Sequence, residues 1–497
     1  MKFIQESKIS LHQKHPYILI PYFNETNIAE QLKNLMLEDN MIDTLIEKQK
    51  QKVLDQQTTL VPSKSGTISI TFFHLGKEAD YELSYLIELF RGFGKQVEED
   101  HQIILKGLEF GHYPIEKVTE AIIQAMIFGA YRFSKTKLKD ASEKRLYSIR
   151  DQLKEEKDSM TFTLVYDGDS KDNIQKAIHY GKCINYARML GDIPNNYLHV
   201  KQFAEYVKDF SIEYQLNCDI LGKKDLIEIH AGGILGVNAG SKEEANLITV
   251  YYEGEKGAPV TALIGKGVMF DSGGYHLKST GGMEGMKYDM CGAANMLSVL
   301  EIAVRQKVRH NLLLVIPAVE NVISPDSCKM GDVLTTMSGK TVEVYNIDAE
   351  GRLILCDAIT YAQQKGASRL IDLATLTYSC QMALGNEISG IFSNQDSYYE
   401  EFKKVTEQQC EKIWRLPLDS FYHKLLYRTQ AADLINYAPG SDAGASVAAC
   451  FLEEFVETDV PWIHLDVVGT AVRKSESKMQ SVGATGVLIS SIAAFLD

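Results

Sequence analysis

From about residue 191 onward the chain alternates continuous apolar, β-branched runs with helix-like stretches. No other feature limits its fold as strongly. The runs are NLITVYY (246–252), TALIGKG (261–267), NLLLVIPAV (311–319), TVEVY (341–345), RLIDLAT (369–375) and WIHLDVVG (462–469). AANMLSVLEIAVRQ (293–306) and GRLILCDAITYAQQ (351–364) carry the helical pattern between them. Strands apolar on both faces need cover on both faces. The expectation is therefore an α/β domain with a central mixed sheet covered by helices, spanning 193–497. In such sheets ligands collect beyond the carboxyl ends of strands.

Residues 1–168 read as a smaller N-terminal α/β domain. ISITFFHL (68–75) and TFTLVY (161–166) suit strands, and 114–133 suits a helix opening with Pro114 at its first position. No chemical motif occurs there. A polar turn, DGDSKD (167–172), precedes a linker helix over 169–192. Ile174, Ala177, Ile178, Gly181, Ile184, Ala187 and Leu190 fall on one of its faces, and Pro194 lies just beyond its end.

The net charge of −14 repels phosphate backbones and anionic head groups, which argues against nucleic-acid and membrane partners. No segment approaches the roughly 18 apolar residues that span a bilayer, and the N-terminus lacks a secretory pattern. None of the eight cysteines forms a CxxC pair. Free thiols in a reducing cytoplasm are expected.

The chemistry concentrates between Lys266 and Arg352. Asp348 and Glu350 follow TVEVY two residues apart; on an extended backbone both would face one site while Ile347 and Ala349 face packing. An acidic helix start is the plainer reading of the same pair. Asp271 closes a strand before paired glycines, a pattern that a simple turn also produces. Asp289 precedes an apolar helix, where an N-terminal cap is the alternative. Lys266 at a strand end is either a surface residue or, as a neutral amine beside a dication, a ligand. Lys287 reads as a surface or structural residue and His276 as packing or support for the site.

Taken together, Lys266, Asp271, Asp289, Asp348 and Glu350 match two divalent ions roughly 3.5–4 Å apart. Oxygen-rich donors leave zinc, manganese, magnesium and cobalt open. Lys278 and Arg352 remain as cations for a developing oxyanion or a small anion. The twelve histidines contain no HExxH, and His12 and His15 have no catalytic context. GxSxG and GxxxxGK[ST] are absent. A two-metal phosphoesterase is disfavoured because no histidines stand at ligand spacing.

At these residues the chain resembles the leucyl aminopeptidase (cytosol aminopeptidase) family, peptidase family M17. NIDAEGRL (346–353) matches the family's NTDAEGRL, and IGKGVMFDSGG (264–274) matches VGKGxxFDSGG. Looser similarity runs over about 185–497. The resemblance implies a metal-dependent aminopeptidase that releases the N-terminal residue of short peptides. Asp271 and Glu350 would bridge two Zn2+ or Mn2+ ions, Asp348 would complete one site, and Lys266 and Asp289 the other. Lys278 would polarise the scissile carbonyl, and Arg352 would hold a bicarbonate acting as general base. Thr375 and Leu376 match backbone contacts to substrate. A homohexamer, a dimer of trimers, is also implied. Some members of the family bind DNA, so a non-catalytic, regulatory or nucleic-acid-binding role is the competing reading. TLTGA becomes TLTYS, which places Tyr378 where glycine is usual, either reshaping the pocket for the substrate's first side chain or turning away into packing.

Overall fold

The computed structural model describes residues 1–10, 16–24, 26, 56–63, 66–135, 138, 145–155, 160–168, 171–440 and 442–497. His12, His15 and positions 169–170 of the polar turn lie outside these. The chain divides into two compact units. One comprises Met1–Arg132, Glu155–Lys182 and Glu476–Ser481; the other comprises Phe133–Lys154, Cys183–Ser475 and Val482–Asp497. The helix Lys171–Asp192 contributes residues to both.

The first unit is built on a six-stranded sheet ordered Lys2–Glu6, Thr161–Val165, His101–Ile104, Tyr17–Tyr22, Gly66–His74 and Gln56–Ser63. All pairings are parallel except the last. Helices Leu83–Gln96 and Ile115–Ala130 lie against each other through glycines. A Cβ at Gly94 would stand 2.4 Å from Met126 O, and one at Gly129 would stand 2.0 Å from Arg91 O. The second helix begins at Ile115, so Pro114 caps it from outside rather than filling its first turn, and its carbonyl accepts from Lys117 and Val118.

The second unit holds a nine-stranded mixed sheet. Its order is Ile413–Arg415, Ser389–Ser393, Trp462–Asp466, Ala367–Ala374, Val260–Gly265, Asn311–Asn321, Asn246–Tyr252 and Asn217–Leu221, with Gly267–Asp271 also paired to Asn311–Asn321. The central run from Trp462–Asp466 to Asn311–Asn321 is parallel. Strand alternation explains why it needs two layers of cover. Ala262, Ile264, Leu313 and Val315 share one core with Leu353, Ile354 and Ala358 of the helix Glu350–Gln364. Leu263, Leu312 and Leu314, equally buried, point the other way, and the helix Cys291–Gln306 also touches these strands. Each such leucine, isoleucine or valine contributes about 1.5–3 kcal/mol on burial.

TVEVY departs from expectation. Only Thr341–Glu343 is strand, and it belongs to a separate three-stranded sheet with Val333–Thr335 and Leu434–Ile435. Among the described residues no helix is long and apolar enough to cross a membrane. Six of the eight cysteines are buried.

Candidate active site

The parallel strands of the large sheet end together, and their last residues carry the polar chemistry. Asp271 closes Gly267–Asp271, and Lys266 links Val260–Gly265 to that strand. Thr375 follows Ala367–Ala374, Asn321 ends Asn311–Asn321, and Asp466 ends Trp462–Asp466. Asp348 and Glu350 arrive differently. After Glu343 the backbone turns: Asp348 N–H donates to Asn346 Oδ1 at 2.9 Å, and Glu350 is the first residue of its helix. The two carboxylates therefore converge through a turn and a helix start, not through the pleat of an extended strand. Ile347 and Ala349 are nevertheless buried, as expected. The acidic helix start and the site residue are one and the same at Glu350.

Two lysines tie the carboxylates together. Lys266 Nζ lies 2.9 Å from Asp289 Oδ1, 2.8 Å from Glu350 Oε1 and 2.7 Å from Thr375 O. Lys278 Nζ lies 2.7 Å from Asp271 Oδ2 and bonds Asp348 Oδ1. Oxygens of Asp271, Asp348 and Glu350 fall within 4.8 Å of one another. Lys266, Asp271, Asp289 and Glu350 are all buried. Asp289 is not the N-terminal cap of the helix Cys291–Gln306: Met290 holds that position, and Asp289 Oδ1 accepts from Lys266 and from Thr375 Oγ1 at 2.7 Å.

The glycines of FDSGG make the convergence possible. Gly273 and Gly274 have φ of +86° and +57°. A Cβ at Gly273 would stand 2.4 Å from His276 O and 2.9 Å from Asp348 Oδ1; one at Gly274 would meet Ile347 Cγ2 at 2.4 Å. His276 accepts the Ile347 N–H at 3.2 Å on Nδ1, a supporting role for the turn that carries Asp348.

Among the protein groups alone, negative charge exceeds positive. Burial opposes charge on Lys266, but Asp289, Glu350 and Asp271 outweigh it and hold its amine protonated above the ordinary range. Lys278 follows the same pattern with Asp271, Glu350 and Asp348. At Glu350, burial is outweighed by Lys266 and Lys278, and the carboxyl stays below its usual value. The other acids are pushed upward. Burial, then Glu350 and Asp289, raise Asp271 well above the carboxylate range; burial and Glu350 raise Asp348; burial takes Asp289 to about 6. Asp289 Oδ2 is buried without a hydrogen-bond partner. Crowded carboxylates, mostly hindered in ionising by burial and by one another, with an unused oxygen among them, are a donor set that fits divalent cations.

Arg352 sits behind this cluster. Burial brings its guanidinium down to about 10, opposed by Glu350, and Nη1 donates to Asn436 O at 2.9 Å. Its Nε is buried without a partner. Tyr378 opens the short helix Tyr378–Leu384 and is 69% exposed, so the packed alternative does not hold.

The sequence profile of the cytosol aminopeptidase family's catalytic domain matches residues 185–493. The chain belongs to this family. The probable cytosol aminopeptidase of Bacillus licheniformis is 34% identical over 500 residues, covering 98% of this chain and 97% of the relative. That of Bacillus subtilis is 35% identical over 446 residues, covering 88% and 86%. Among solved structures, the Coxiella burnetii cytosol aminopeptidase superposes with a TM-score of 0.82 at 26% identity, over 99% of this chain and 98% of that one. The bottromycin maturation enzyme BotP, solved in complex with Mn, gives the same TM-score at 22% identity over 97% and 98%, a likeness of fold. The chain is thus a hydrolase of the aminopeptidase class.

Three residues that sequence reasoning passed over organise this aminopeptidase's site. Asn321 Nδ2 donates to Asp271 Oδ1 at 2.8 Å and to Ile347 O at 3.2 Å, joining the two acidic loops. Asn436 receives Tyr345 N–H and Asn346 N–H on its Oδ1 and donates to Asn346 O, fixing the turn before Asp348. Asp466 accepts from Leu376 N, Thr377 N and Thr377 Oγ1, holding the loop after Thr375. Asn321 and Asp466 share a signal in the sequence: each is a polar residue closing a mostly apolar run.

Proposed function

We propose that the chain is a two-metal exopeptidase that releases the N-terminal residue of short peptides. The observation that carries this reading is the linkage of four carboxylates through Lys266 and Lys278 at the ends of the parallel strands. Asp271 and Glu350 would be shared between two ions, Zn2+ or Mn2+, with Asp348 completing one site and Lys266 and Asp289 the other. When bound, such a pair supplies a Lewis acid, an activated water and an anchor for the substrate's free amine.

The chain's own groups do the rest. Lys266 must give up its proton to act as a donor, so loading the site releases a proton and is favoured as pH rises. Lys278, held cationic by its carboxylate neighbours, donates to the scissile carbonyl oxygen and stabilises negative charge developing there. Arg352 remains cationic at neutral pH and would hold bicarbonate, the general base, on its unpartnered Nε. The backbone at Thr375 and Leu376 would align the peptide, with Asp466 keeping that loop in place. Exposed Tyr378 would shape the pocket for the first side chain. A cytoplasmic homohexamer, a dimer of trimers, completes the proposal; light scattering giving a smaller mass would remove that part.

The test compares peptides with free and acetylated N-termini before and after chelation. Cleavage confined to free termini, abolished by chelator and restored by Zn2+ or Mn2+, is expected. Cleavage of the acetylated peptide at a comparable rate would overturn the exopeptidase reading.

A further inference from the structure

In the second unit, away from the strand-end carboxylates in sequence, three side chains of different chemistry meet. Cys450 and Glu453 are three apart on the helix Gly444–Glu453 and so share a face. His423 comes from the adjacent helix Ser420–Leu426. His423 Nε2 lies 2.8 Å from Glu453 Oε2, and ligand atoms of His423, Cys450 and Glu453 all fall within 4.8 Å of one another. Neighbouring ligands of a tetrahedral zinc stand about 3.3–3.8 Å apart, as its bond lengths require. Side-chain adjustments of roughly an ångström bring this trio to that spacing.

The surroundings suit a metal-binding imidazole. His423 Nδ1 lies 2.9 Å from Glu454 Oε1, and Glu454 is itself held by Lys340 Nζ at 3.3 Å. A carboxylate on Nδ1 fixes the ring and its tautomer, directing the Nε2 lone pair toward an ion, a recurrent arrangement in zinc sites. Glu453 also lines an open groove of about 450 Å³ with Arg415, Leu416 and Pro417, so its carboxylate has solvent on one side.

We propose that His423, Cys450 and Glu453 bind a zinc ion distinct from the catalytic pair, with water as the fourth ligand. Binding releases the Nε2 proton of the imidazolium and the Cys450 thiol proton to solvent, leaving neutral imidazole, thiolate and carboxylate on the ion. A thiolate and an imidazole favour zinc or cobalt, whereas the catalytic donors are oxygens and one amine. The site would clasp two neighbouring helices of the second unit.

The thiolate makes the proposal testable independently of catalysis. Chelator-stripped protein is loaded with Mn2+ to occupy the oxygen-rich centre and then titrated with Co2+. Thiolate-to-cobalt charge-transfer absorption saturating at one equivalent per chain is expected, and Zn2+ should abolish it. The absorption should be lost in Cys450→Ala, need at least about tenfold more Co2+ in Glu453→Gln, and persist in Glu350→Ala. Circular dichroism and retained peptidase activity in Cys450→Ala show that the variant is folded. Absence of the band in wild type, or its persistence in Cys450→Ala, would overturn the site and leave His423 as an ion-pair clamp between Glu453 and Glu454.

Discussion

Replacing Gly351 with alanine sets helix propensity against site geometry. Gly351 is the second residue of the helix Glu350–Gln364. In a free helix interior alanine is favoured over glycine by about 0.8–1 kcal/mol, so the substitution is at worst neutral for the helix itself. In this protein a Cβ there would stand 2.8 Å from Lys266 Cε, 2.9 Å from Lys266 Nζ and 2.9 Å from Leu376 Cδ1. The Lys266 amine must therefore move, although it is buried and bound to Asp289, Glu350 and Thr375 O. Each charge-assisted bond is worth about 1.5–3 kcal/mol, and a shift of about 1 Å at a catalytic centre costs on the order of a hundredfold in rate. Gly351→Ala should keep a melting temperature within a few degrees of wild type, lose metal from the centre at matched free concentration, and fall about a hundredfold in kcat/KM on an aminoacyl amide. Wild-type kcat/KM together with wild-type metal content would refute the placement of Lys266.

Three further outcomes follow from particular contacts. Asp466→Asn keeps the shape but removes the charge that Leu376 N, Thr377 N and Thr377 Oγ1 share; KM for peptides should rise several-fold with metal content unchanged, and an effect on kcat alone would count against a positioning role. Tyr378→Gly should leave the melting temperature within about a degree, since the ring is exposed, but change the ranking of aminoacyl amides; an identical ranking would separate Tyr378 from specificity. Asp357 is buried, and its carboxyl, which accepts Met337 N–H and Ile234 N–H, is pushed up to about 7 by burial. Because the folded value lies above the unfolded one of 3.8, the native state holds the extra proton between these limits. Its contribution to stability is thus greatest near pH 4 and declines toward pH 7, by up to about 1.4 kcal/mol per unit. Wild type should lose its stability advantage over Asp357→Asn across that window; parallel pH profiles would show that Asp357 is ionised throughout.

Much of the site could be read from the sequence because its parts are local. GKG and FDSGG place Lys266 and Asp271 on a strand end with glycines that only a crowded turn requires. The carboxylates of NIDAE were expected together and are together, but the reason differed. Alternation assumes an extended backbone, whereas Asn346 turns the chain and Glu350 begins a helix. TVEVY carries the same β-branched signal as the central strands, yet pairs with Val333–Thr335 and Leu434–Ile435. Strand propensity records a fit to a pleated surface and says nothing about which sheet supplies it. Asn321, Asn436 and Asp466 act across distances of 26 to 91 residues, which no local spacing reveals. His423, Cys450 and Glu453 went unseen for the same reason: only helix packing brings the histidine to the other two.

Activity should depend on two divalent ions held by Asp271, Asp348, Glu350, Lys266 and Asp289. A titration of chelator-stripped Cys450→Ala protein with Mn2+ or Zn2+ tests this, following bound metal by equilibrium dialysis and aminoacyl-amide hydrolysis in the same samples. Hydrolysis should be absent without metal and reach its plateau at two ions per chain, and Glu350→Ala in that background should remain inactive at every concentration. Full hydrolysis at one ion per chain, or in the stripped protein, would contradict the account.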